Sequence, residues 1–509
     1  MLRKQGRVGE MIVLSRRGFL AAGVIVMIGS MVISPRAEAA TMSGSIVLTS
    51  DTGVIVLNSP DGNGTTTGIT GVGGTWSWAG KTAGLDMGGY NITRNTDPGS
   101  ITLDLYNGAI YGSITNGGLI STSRDGVPGS IVVTNVSSVA LNGISTVCTS
   151  DGGSFAVGSV ILTGQDGGNL SIGASGIQTY YNRSGTAGLG GVVSLQRFNR
   201  VTISGSIGTW AAWSLGGAVS IGTPAKPIGG PISVARDIAT FTGSDYTAKG
   251  APISLFANGP ISVGNLTSSI CREYLDSQSG ASDITVVNKG AFTCGSITNG
   301  VDRAAPVTTV SINGTDSSGT FVSGAIDAHR TCYMGGHGSQ VAIGNFGSVT
   351  INGDVRADVS ACYQGPWNGG NFSVSNIPGN ITITGSINLS GKAESGWGTP
   401  THGVLSLAST DSKSVITLAD LDLSKVSYAV LSPGSKCILK GVLAGFSTGN
   451  PNQTQLRLPA GKRIYYYPEL AGNAYLLRAK YVLASPDGTP AAGGVLMPYV
   501  SPGTVITVK

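Results

Sequence analysis

Hydrophobic and polar residues alternate along most of the chain in short runs, and similar runs recur about every thirty residues. The runs that begin at Val201, Val349 and Ile381 alternate β-branched residues with Ser or Thr, and a Gly then precedes one last aliphatic residue. Strict alternation predicts a strand that is buried on one face only. A repeat of this length indicates stacked units, because one unit cannot bury its apolar face without neighbours.

Each repeat is predicted to hold two strands, the first of which follows a Gly-rich loop. The first strands contain Val193, Val219, Ile253, Val341, Phe372 and Leu405, and the second strands begin at Val201, Ile232, Ile261, Val349, Ile381 and Val415. The interval between Ile261 and Val349 leaves room for two weaker repeats near Ile284 and Val310. Helical periodicity is absent outside the N-terminal segment. A stack of parallel coils therefore fits best, and an array of β-sandwiches is the alternative.

We predict an all-β chain that forms a single-stranded right-handed parallel β-helix with capping β segments. The repeats resemble those of secreted right-handed β-helix proteins, a broad group of bacterial adhesins, passenger domains and pectin-degrading enzymes. The resemblance covers about residues 130–430. It rests on the style of the repeat, so it implies a fold more than a function.

Changes in composition and in the regularity of the repeats divide the chain into four parts. Residues 1–40 are a targeting segment, and residues 41–125 are an N-terminal β region that begins and caps the solenoid. Residues 126–436 form the parallel β-helix of roughly 30-residue coils. Residues 437–509 form a C-terminal closing module, with longer aromatic strands around Tyr465 and at Tyr475 to Arg478.

The targeting segment has the three parts of a secretory signal peptide. Basic residues precede an apolar stretch, and Ala37-Glu38-Ala39 forms a small-x-small cleavage signal. Ser15-Arg16-Arg17-Gly18-Phe19-Leu20 resembles the twin-arginine export motif. A translation start at Met11 would place the N-terminus at a more usual distance from this motif. An ordinary secretion leader and an uncleaved anchor are the alternatives. We expect export to the periplasm, cell surface or extracellular space, with no membrane span after cleavage.

The formal charge of the whole chain is +5, and the leader accounts for most of it. Residues 1–39 contain six of the 31 basic and two of the 26 acidic residues, so 25 basic and 24 acidic residues follow. A nearly neutral mature chain gives no reason to expect a nucleic-acid partner. Only 11% of residues are charged, whereas glycine occurs 80 times, as a chain rich in tight turns requires.

The cysteines test the predicted register, because disulfides are permitted outside the cytoplasm. Cys332 and Cys362 are thirty residues apart and begin the same Cys-Tyr-x-Gly pattern, so we predict a bridge between adjacent coils. A second bridge is predicted between Cys271 and Cys294. Cys148 and Cys437 belong to coils far apart and are predicted to stay unlinked.

Aromatic residues recur in the loops before the first strands and suggest a ligand surface. His337, Trp367 and Trp397 are thirty residues apart, and Trp213 and Tyr246 fall in comparable loops. Stacked rings on one face would suit sugar rings of a polysaccharide or cell-surface glycan. The alternative is that these rings only pack against one another at a corner of the coil.

Catalytic residues are not identified with the same clarity. Gly336-His337-Gly338 is similar to the glycine-histidine-glycine element of pectin-hydrolysing β-helix enzymes, but the paired carboxylates of those enzymes are missing. Asp327, Asp354 and Arg356 are the remaining candidates, and a lyase built on them would use Ca²⁺. His329, Cys332 and His337 have a spacing that could hold a metal. Because Cys332 is predicted to bridge Cys362, we expect no metal site and no cofactor.

These observations favour an exported, non-catalytic solenoid that acts as a surface or extracellular matrix protein, with adhesion or glycan binding as its activity. The alternative is a polysaccharide lyase or glycoside hydrolase of the β-helix type.

Overall fold

The fold is a parallel β-solenoid of about 12 turns, which confirms the predicted all-β class. The computed structural model describes residues 40–41, 46–48, 54–58, 66–72, 75–79, 84–94, 99–106, 111–149, 156–181, 188–211, 215–240, 250–268, 270–271, 282–302, 307–331, 337–361, 365–450 and 453–500. Residues 1–39, which are all but the last residue of the predicted targeting segment, lie outside this part of the chain. No helix among the described residues is long and apolar enough to cross a bilayer.

Each regular turn contributes a strand to three columns, which we call A, B and C in the order in which the chain passes through them. Column A contains Val193–Gln196, Val219–Ile221, Ile253–Ala257, Ile284–Asn288, Thr309–Gly314, Gln340–Gly344, Phe372–Ile377, Val404–Ser409, Tyr428–Ser432 and Leu456–Arg457. Column B contains Arg200–Ile203, Ile232–Val234, Ile261–Val263, Phe292–Cys294, Thr320–Ser323, Ser348–Ile351, Ile381–Ile383, Val415–Leu418, Lys436–Leu439, Arg463–Tyr466 and Val495–Pro498. Column C contains Ile207–Gly208, Ile238–Ala239, Leu266–Thr267, Ile297–Thr298, Ile326–Asp327, Val355–Arg356 and Ile387–Asn388.

Two long strands precede this regular part and pass through all three columns. They are Pro128–Ser145 and Val160–Gln178, and the second pairs with the first members of columns A, B and C. The strands before them are Ala40–Thr41, Ile46–Leu48, Val54–Asn58, Thr66–Val72, Thr75–Ala79, Gly84–Asp86, Ile92–Arg94, Gly99–Asp104 and Ser113–Ser121. Val54–Asn58, Thr66–Val72 and Thr75–Ala79 pair antiparallel in sequence order. Ala40–Thr41 and Ile46–Leu48 already pair parallel with Gly84–Asp86 and Ile92–Arg94, so the antiparallel strands are an insertion within the parallel stack.

Successive coils stack in the predicted register. Val349 lies beside Ile381 in column B, and Ile351 lies beside Ile383. All four side chains are buried, because alternate residues of each strand face the interior. Each such side chain contributes roughly 1.5–3 kcal/mol of burial free energy. Most of the apolar interior is one continuous cluster along the stack, and a second cluster consists of Cys148, Val157, Tyr181 and Ala211.

The sequence pattern showed two features of the coil only weakly, and the structure shows both clearly. The weaker repeats near Ile284 and Val310 are confirmed, since these residues pair with each other in column A. Column C was visible in the sequence only as one aliphatic residue after a Gly. That Gly is required by close stacking, since a Cβ on Gly385 would lie 2.3 Å from the carbonyl carbon of Gly353.

Parallel stacking continues past residue 437 into the expected closing module. Column B ends with Val495–Pro498, and Tyr481–Val482 pairs antiparallel with it, which covers the last exposed edge. The expected strand at Tyr475 to Arg478 is wrong. The segment Ala471–Leu476 is a 3₁₀ helix that buries Leu476, and Leu477 and Arg478 follow with φ of 50° and 55°.

Short elements complete the described structure. Column D, which follows column C in four coils, contains Ile270–Cys271, Val301–Asp302, Arg330–Thr331 and Val359–Ala361. Pro366–Trp367 pairs antiparallel with Lys392–Ala393, Leu421–Asp422 pairs parallel with Leu443–Ala444, and Leu423–Lys425 is a 3₁₀ helix.

Candidate functional site

Loops leave the coil after column C and return before column A, and a ladder of buried hydroxyl groups holds the base of these loops. Each Thr of the ladder donates a hydrogen bond of 2.5–2.8 Å across the loop to a main-chain carbonyl near the start of column A. The five donors are Thr122, Thr146, Thr179, Thr209 and Thr240. Because the donors are fully buried, the two ends of each loop are fixed relative to each other.

Side chains on either side of this ladder point outward and form a surface that we call the C face. The C face consists of the outward residue at the end of each column C strand, namely Gln178, Gly208, Ala239, Thr267, Thr298, Asp327, Arg356 and Asn388, and of the residue two positions later. Among the described residues, the later positions are Tyr180, Trp210, Gly300, His329, Asp358 and Ser390, of which Gly300 and Asp358 are buried.

Two aromatic rings stack at one end of the C face. The ring centroids of Tyr180 and Trp210 are 4.3 Å apart and the ring planes differ by 6°. Both side chains are half-buried, and each ring covers one face of the other, so the pair, which we call the platform, offers only its edges and its outer faces. The Gln178 amide lies beside the platform and donates to the Ser206 hydroxyl at 3.0 Å. Gly208 provides the space, since a Cβ there would lie 2.6 Å from Gln178 Oε1.

An ionic cluster lies farther along the same face, on two adjacent coils. His329 Nδ1 is 2.6 Å from Asp327 Oδ1. Arg356 donates to both carboxylate oxygens of Asp358, at 3.1 and 3.3 Å. Asp327 is aligned with Arg356 across the coils, which places His329 opposite Asp358. Acidic and basic groups therefore alternate both along each strand and from one coil to the next.

The charges of the cluster stabilise one another. Burial acts to raise the pKa of the Asp327 carboxyl, but the hydrogen bond and charge of His329, together with Arg356, outweigh it and lower the pKa. Burial acts to lower the pKa of the Arg356 guanidinium, whereas the carboxylates of Asp358, Asp327 and Asp354 raise it overall. Both groups are therefore held in their charged forms.

Of the candidate catalytic residues, Asp327 and Arg356 come together on adjacent strands, whereas Asp354 has a different role. The Asp354 carboxylate accepts hydrogen bonds from the main-chain N–H and the hydroxyl of Ser386 in the next coil, at 2.7 and 3.0 Å. It is thus a turn residue that links two coils. His337 is exposed, and the guanidinium of the buried Arg330 donates to its main-chain carbonyl.

The predicted thirty-residue ladder of rings is only partly in register. His337 lies within one residue of alignment with Trp367, because the local offset between coils is 31 residues from Val341 to Phe372. The next offset, from Phe372 to Leu405, is 33 residues. Trp367 pairs with Lys392 instead of aligning with Trp397, and these two described tryptophans make no ring contact with each other. The stacked ladder is therefore wrong for this pair, and Trp397 is 51% exposed.

The predicted Cys271–Cys294 bridge is wrong. Cys294 is a free, buried thiol in column B, where it is aligned with Val263. Cys271 lies in column D, aligned with Asp302. The two residues therefore occupy different corners of the coil. Burial raises the pKa of the Cys294 thiol to about 12, which makes it unreactive.

The remaining cysteines agree with the register or lie outside the described residues. Cys148 is aligned with Tyr181 near one end of the stack, and Cys437 is buried in column B near the other, so no link between them is possible. Cys332 and Cys362 lie outside the described residues, and the positions before them, Thr331 and Ala361, are paired. Their bridge stays a prediction.

Trp213 and Tyr246, two predicted ligand residues, also lie outside the described residues. Sequence reasoning missed Tyr180, Trp210 and the threonine ladder. The signal was present, because Tyr180 and Trp210 are thirty residues apart and Ile177 and Ile207 pair with the same offset. Asp-x-His at Asp327 and Arg-x-Asp at Arg356 likewise repeat with the coil.

Metal ligation gains no support from the described part of the chain, where no three His, Cys, Asp or Glu side chains are grouped as metal ligands. Comparison with known proteins found no matching family model, no similar curated protein and no similar solved structure. Any inference about function therefore rests on the surface chemistry of the solenoid.

Proposed function

We propose that the chain is an exported, non-catalytic β-solenoid that acts as a surface or extracellular matrix protein and binds a glycan through the C face. The stacked rings of Tyr180 and Trp210 carry this proposal. The outer face of one of these rings can pack against the apolar face of a sugar ring, and the neighbouring Gln178 amide can bond the sugar hydroxyls. The alternative, that the rings only pack against one another at a corner of the coil, also predicts a stacked, half-buried pair, and the binding of Trp210→Ala distinguishes the two.

The carboxylates of the C face favour binding over hydrolysis. A glycoside hydrolase needs one carboxyl group with a raised pKa, which acts as the acid, and a second carboxylate across the scissile bond. The pKa of Asp327 is lowered, and Asp358 is buried in its ion pair with Arg356. Asp354 is occupied by Ser386.

One observation supports an enzyme as the second candidate. The short contact between Asp327 and His329 would orient the imidazole and leave its other nitrogen available for proton abstraction. A lyase of this kind would act at His329, not at His337. The test is incubation with neutral and acidic glycans: unsaturated products or new reducing ends that disappear in His329→Ala would favour the enzyme.

Retention of the protein on a glycan that it does not cleave would favour a glycan-binding protein over an enzyme. The full exported chain is screened by affinity electrophoresis against neutral and acidic polysaccharides, and the retained ligand is then titrated calorimetrically. Loss of one stacked ring removes about 0.5–1.5 kcal/mol, so Trp210→Ala is expected to raise Kd by up to about tenfold.

Two matched variants control for the loss of an aromatic side chain. Tyr111→Ala disrupts a second surface ring pair, with Tyr106 at 4.7 Å, away from the C face. Trp397→Ala removes a tryptophan whose side chain is 51% exposed. Unchanged binding by Trp210→Ala, or an equal loss in all three variants, would contradict the proposed platform. Loss in Trp397→Ala alone would return the site to the loops predicted from the sequence.

Export is the part of the proposal that the sequence alone supports. If Ser15 to Leu20 is a twin-arginine signal, replacing Arg16 and Arg17 by Lys should leave the precursor in the cytoplasm, whereas an ordinary leader would still direct export. Cell fractionation with an antibody against the chain measures the outcome. Retention of both parent and variant in the cytoplasm would contradict export by either route.

A further inference from the structure

We propose a second binding site, for an acidic polysaccharide, on the outward face of the last three column B strands. This face, which we call the terminal B face, consists of the outward side chains of Lys436–Leu439, Arg463–Tyr466 and Val495–Pro498 and of the residue that follows each strand. All of these residues belong to the described part of the chain. The site does not involve the C face. Of the proposed function it uses only export, which makes a polysaccharide the anionic polymer that the protein would meet.

The outward position at the centre of column B changes character at this end of the stack. Along the register, six successive coils place Thr350, Thr382, Thr417, Ile438, Tyr465 and Met497 at this position. Small hydroxyl side chains thus give way to large, mainly apolar ones. All three large side chains are half-buried, and none of them faces the core. Neighbouring apolar side chains on an outer surface indicate contact with another molecule.

Positive charge is concentrated in the same part of the chain. Residues 436–509 contain eight basic and two acidic residues, whereas residues 40–435 contain 17 basic and 22 acidic residues. Lys436 and Arg463 are aligned on adjacent strands of the terminal B face, and Lys440 follows the first strand. No carboxylate of the described residues forms an ion pair with these three cations. Their charge can therefore attract an anionic ligand.

Tyrosine rings lie beside these cations. The Lys436 Nζ atom is 5.9 Å from the ring centroid of Tyr465. The Tyr465 ring is 6.1 Å from that of Tyr499 at an interplanar angle of 84°, and the Tyr467 ring is 4.9 Å from that of Tyr499 at 33°. All three tyrosine side chains are half-buried, so each also presents part of its surface to solvent. Cations and aromatic rings thus share one surface.

This combination suits the sugar acids of a polysaccharide. A sugar carboxylate accepts charge-assisted hydrogen bonds from Lys and Arg, and the apolar face of the sugar ring packs against tyrosine. A single exposed ion pair is weak in water, so a small anion would bind poorly. A polymer gains affinity because it contacts the aligned Lys436 and Arg463 at the same time. A membrane surface is a poorer fit, because the apolar side chains are half-buried and do not project far enough to insert.

One carboxylate lies near the terminal B face. Burial, followed by the neighbouring Tyr499 and Glu469, raises the pKa of Tyr467. The charge of the exposed Glu469 therefore reaches this face and opposes an acidic ligand. The phenol of Tyr467 stays protonated and can donate a hydrogen bond to a sugar carboxylate.

The experiment measures binding of the full chain to polygalacturonate and to the same polymer with its carboxyl groups methyl-esterified. We expect the esterified polymer to bind about tenfold more weakly or worse, and high salt to weaken binding of the acidic polymer. Tyr465→Thr restores the residue type of the earlier coils and should weaken binding about two- to tenfold. Arg463→Gln should weaken it several-fold, whereas Glu469→Gln should strengthen it.

Lys289→Ala and Tyr111→Ala are the matched controls, because they remove an exposed cation and a surface ring in other coils. Thermal unfolding verifies that each variant is folded, and Arg463→Gln tests the site if Tyr465→Thr does not fold. Equal binding of the acidic and esterified polymers, or equal losses in the site and control variants, would overturn the proposal.

Two further results would assign the terminal B face to another partner and overturn the proposal as well. The first is binding to phosphatidylglycerol vesicles without binding to polygalacturonate. The second is self-association of the parent, measured by sedimentation, that is lost in Tyr465→Thr. The titration of Trp210→Ala tests the C face separately, so either site can fail while the other stands.

Discussion

The stack of phenylalanine rings in the core gives the sharpest test of the solenoid. Phe321 is fully buried in column B, its ring centroid is 5.4 Å from that of Phe292 at an interplanar angle of 12°, and it is 5.7 Å from that of Phe346. Phe321→Ala should cost about 3–5 kcal/mol, because it removes a buried ring and leaves a cavity between coils. Phe321→Leu retains most of the apolar volume and loses two ring contacts, so it should cost about 1–3 kcal/mol.

The measurement combines urea unfolding with hydrogen exchange of peptides from the coils between residues 284 and 351. Neighbouring coils interact mainly with each other, so the loss of protection should be greatest in these peptides. Val322→Ala is the control, because Val322 lies on the same strand but faces outward, and it should change stability by less than about 0.5 kcal/mol. If Phe321→Ala is no more destabilising than Val322→Ala, the ring does not lie in the core. If Phe321→Leu is as stable as the parent, ring stacking contributes nothing beyond apolar volume.

Buried or paired groups give three further predictions. Thr179→Val removes a buried hydroxyl of the loop ladder and should cost about 1–3 kcal/mol in urea unfolding, whereas Thr179→Ser should cost much less; equal stability of the two variants would rule out the hydrogen bond as the cause. The lowered pKa of Asp327 means that its contribution to stability is present above its ordinary pKa of 3.8 and is lost as pH falls through the lower folded value. The stability difference between the parent and Asp327→Asn, measured by thermal unfolding, should therefore shrink below about pH 4, and a difference that grows in acid would refute the pairing with His329. Burial raises the pKa of the Cys294 and Cys437 thiols, so both should resist iodoacetamide in the native protein and react only after unfolding, as mass spectrometry of labelled peptides would show.

The fold was predictable because alternation with a period of two decides which face of a strand is buried. Val349 and Ile381 could be placed side by side from their matching runs, and the structure pairs them. Column C was harder to recognise, since a strand of two residues is too short to show a period. The segment at Tyr475 was misassigned because consecutive apolar residues fit a strand and a short helical turn equally well.

The candidate site was less predictable, because the number of residues per coil changes from one loop to the next. A fixed thirty-residue spacing brings Tyr180 and Trp210 together where the local offset is also thirty. Trp367 and Trp397 are also thirty residues apart in sequence, but they are not aligned, because the local offset between coils is 33 residues. The predicted pairing of Cys271 with Cys294, which are closer in sequence than one coil, failed because the two residues lie in different columns of the coil.

The amino-acid sequence by itself determined that this chain winds into stacked parallel coils, because each repeat has an apolar face that only an adjacent repeat can cover. It also determined which residues fill the interior. Only the tertiary structure decided which polar and aromatic side chains meet on the surface. Their neighbours belong to the adjacent coils, about thirty residues away in the chain, and the length of each intervening loop sets the alignment.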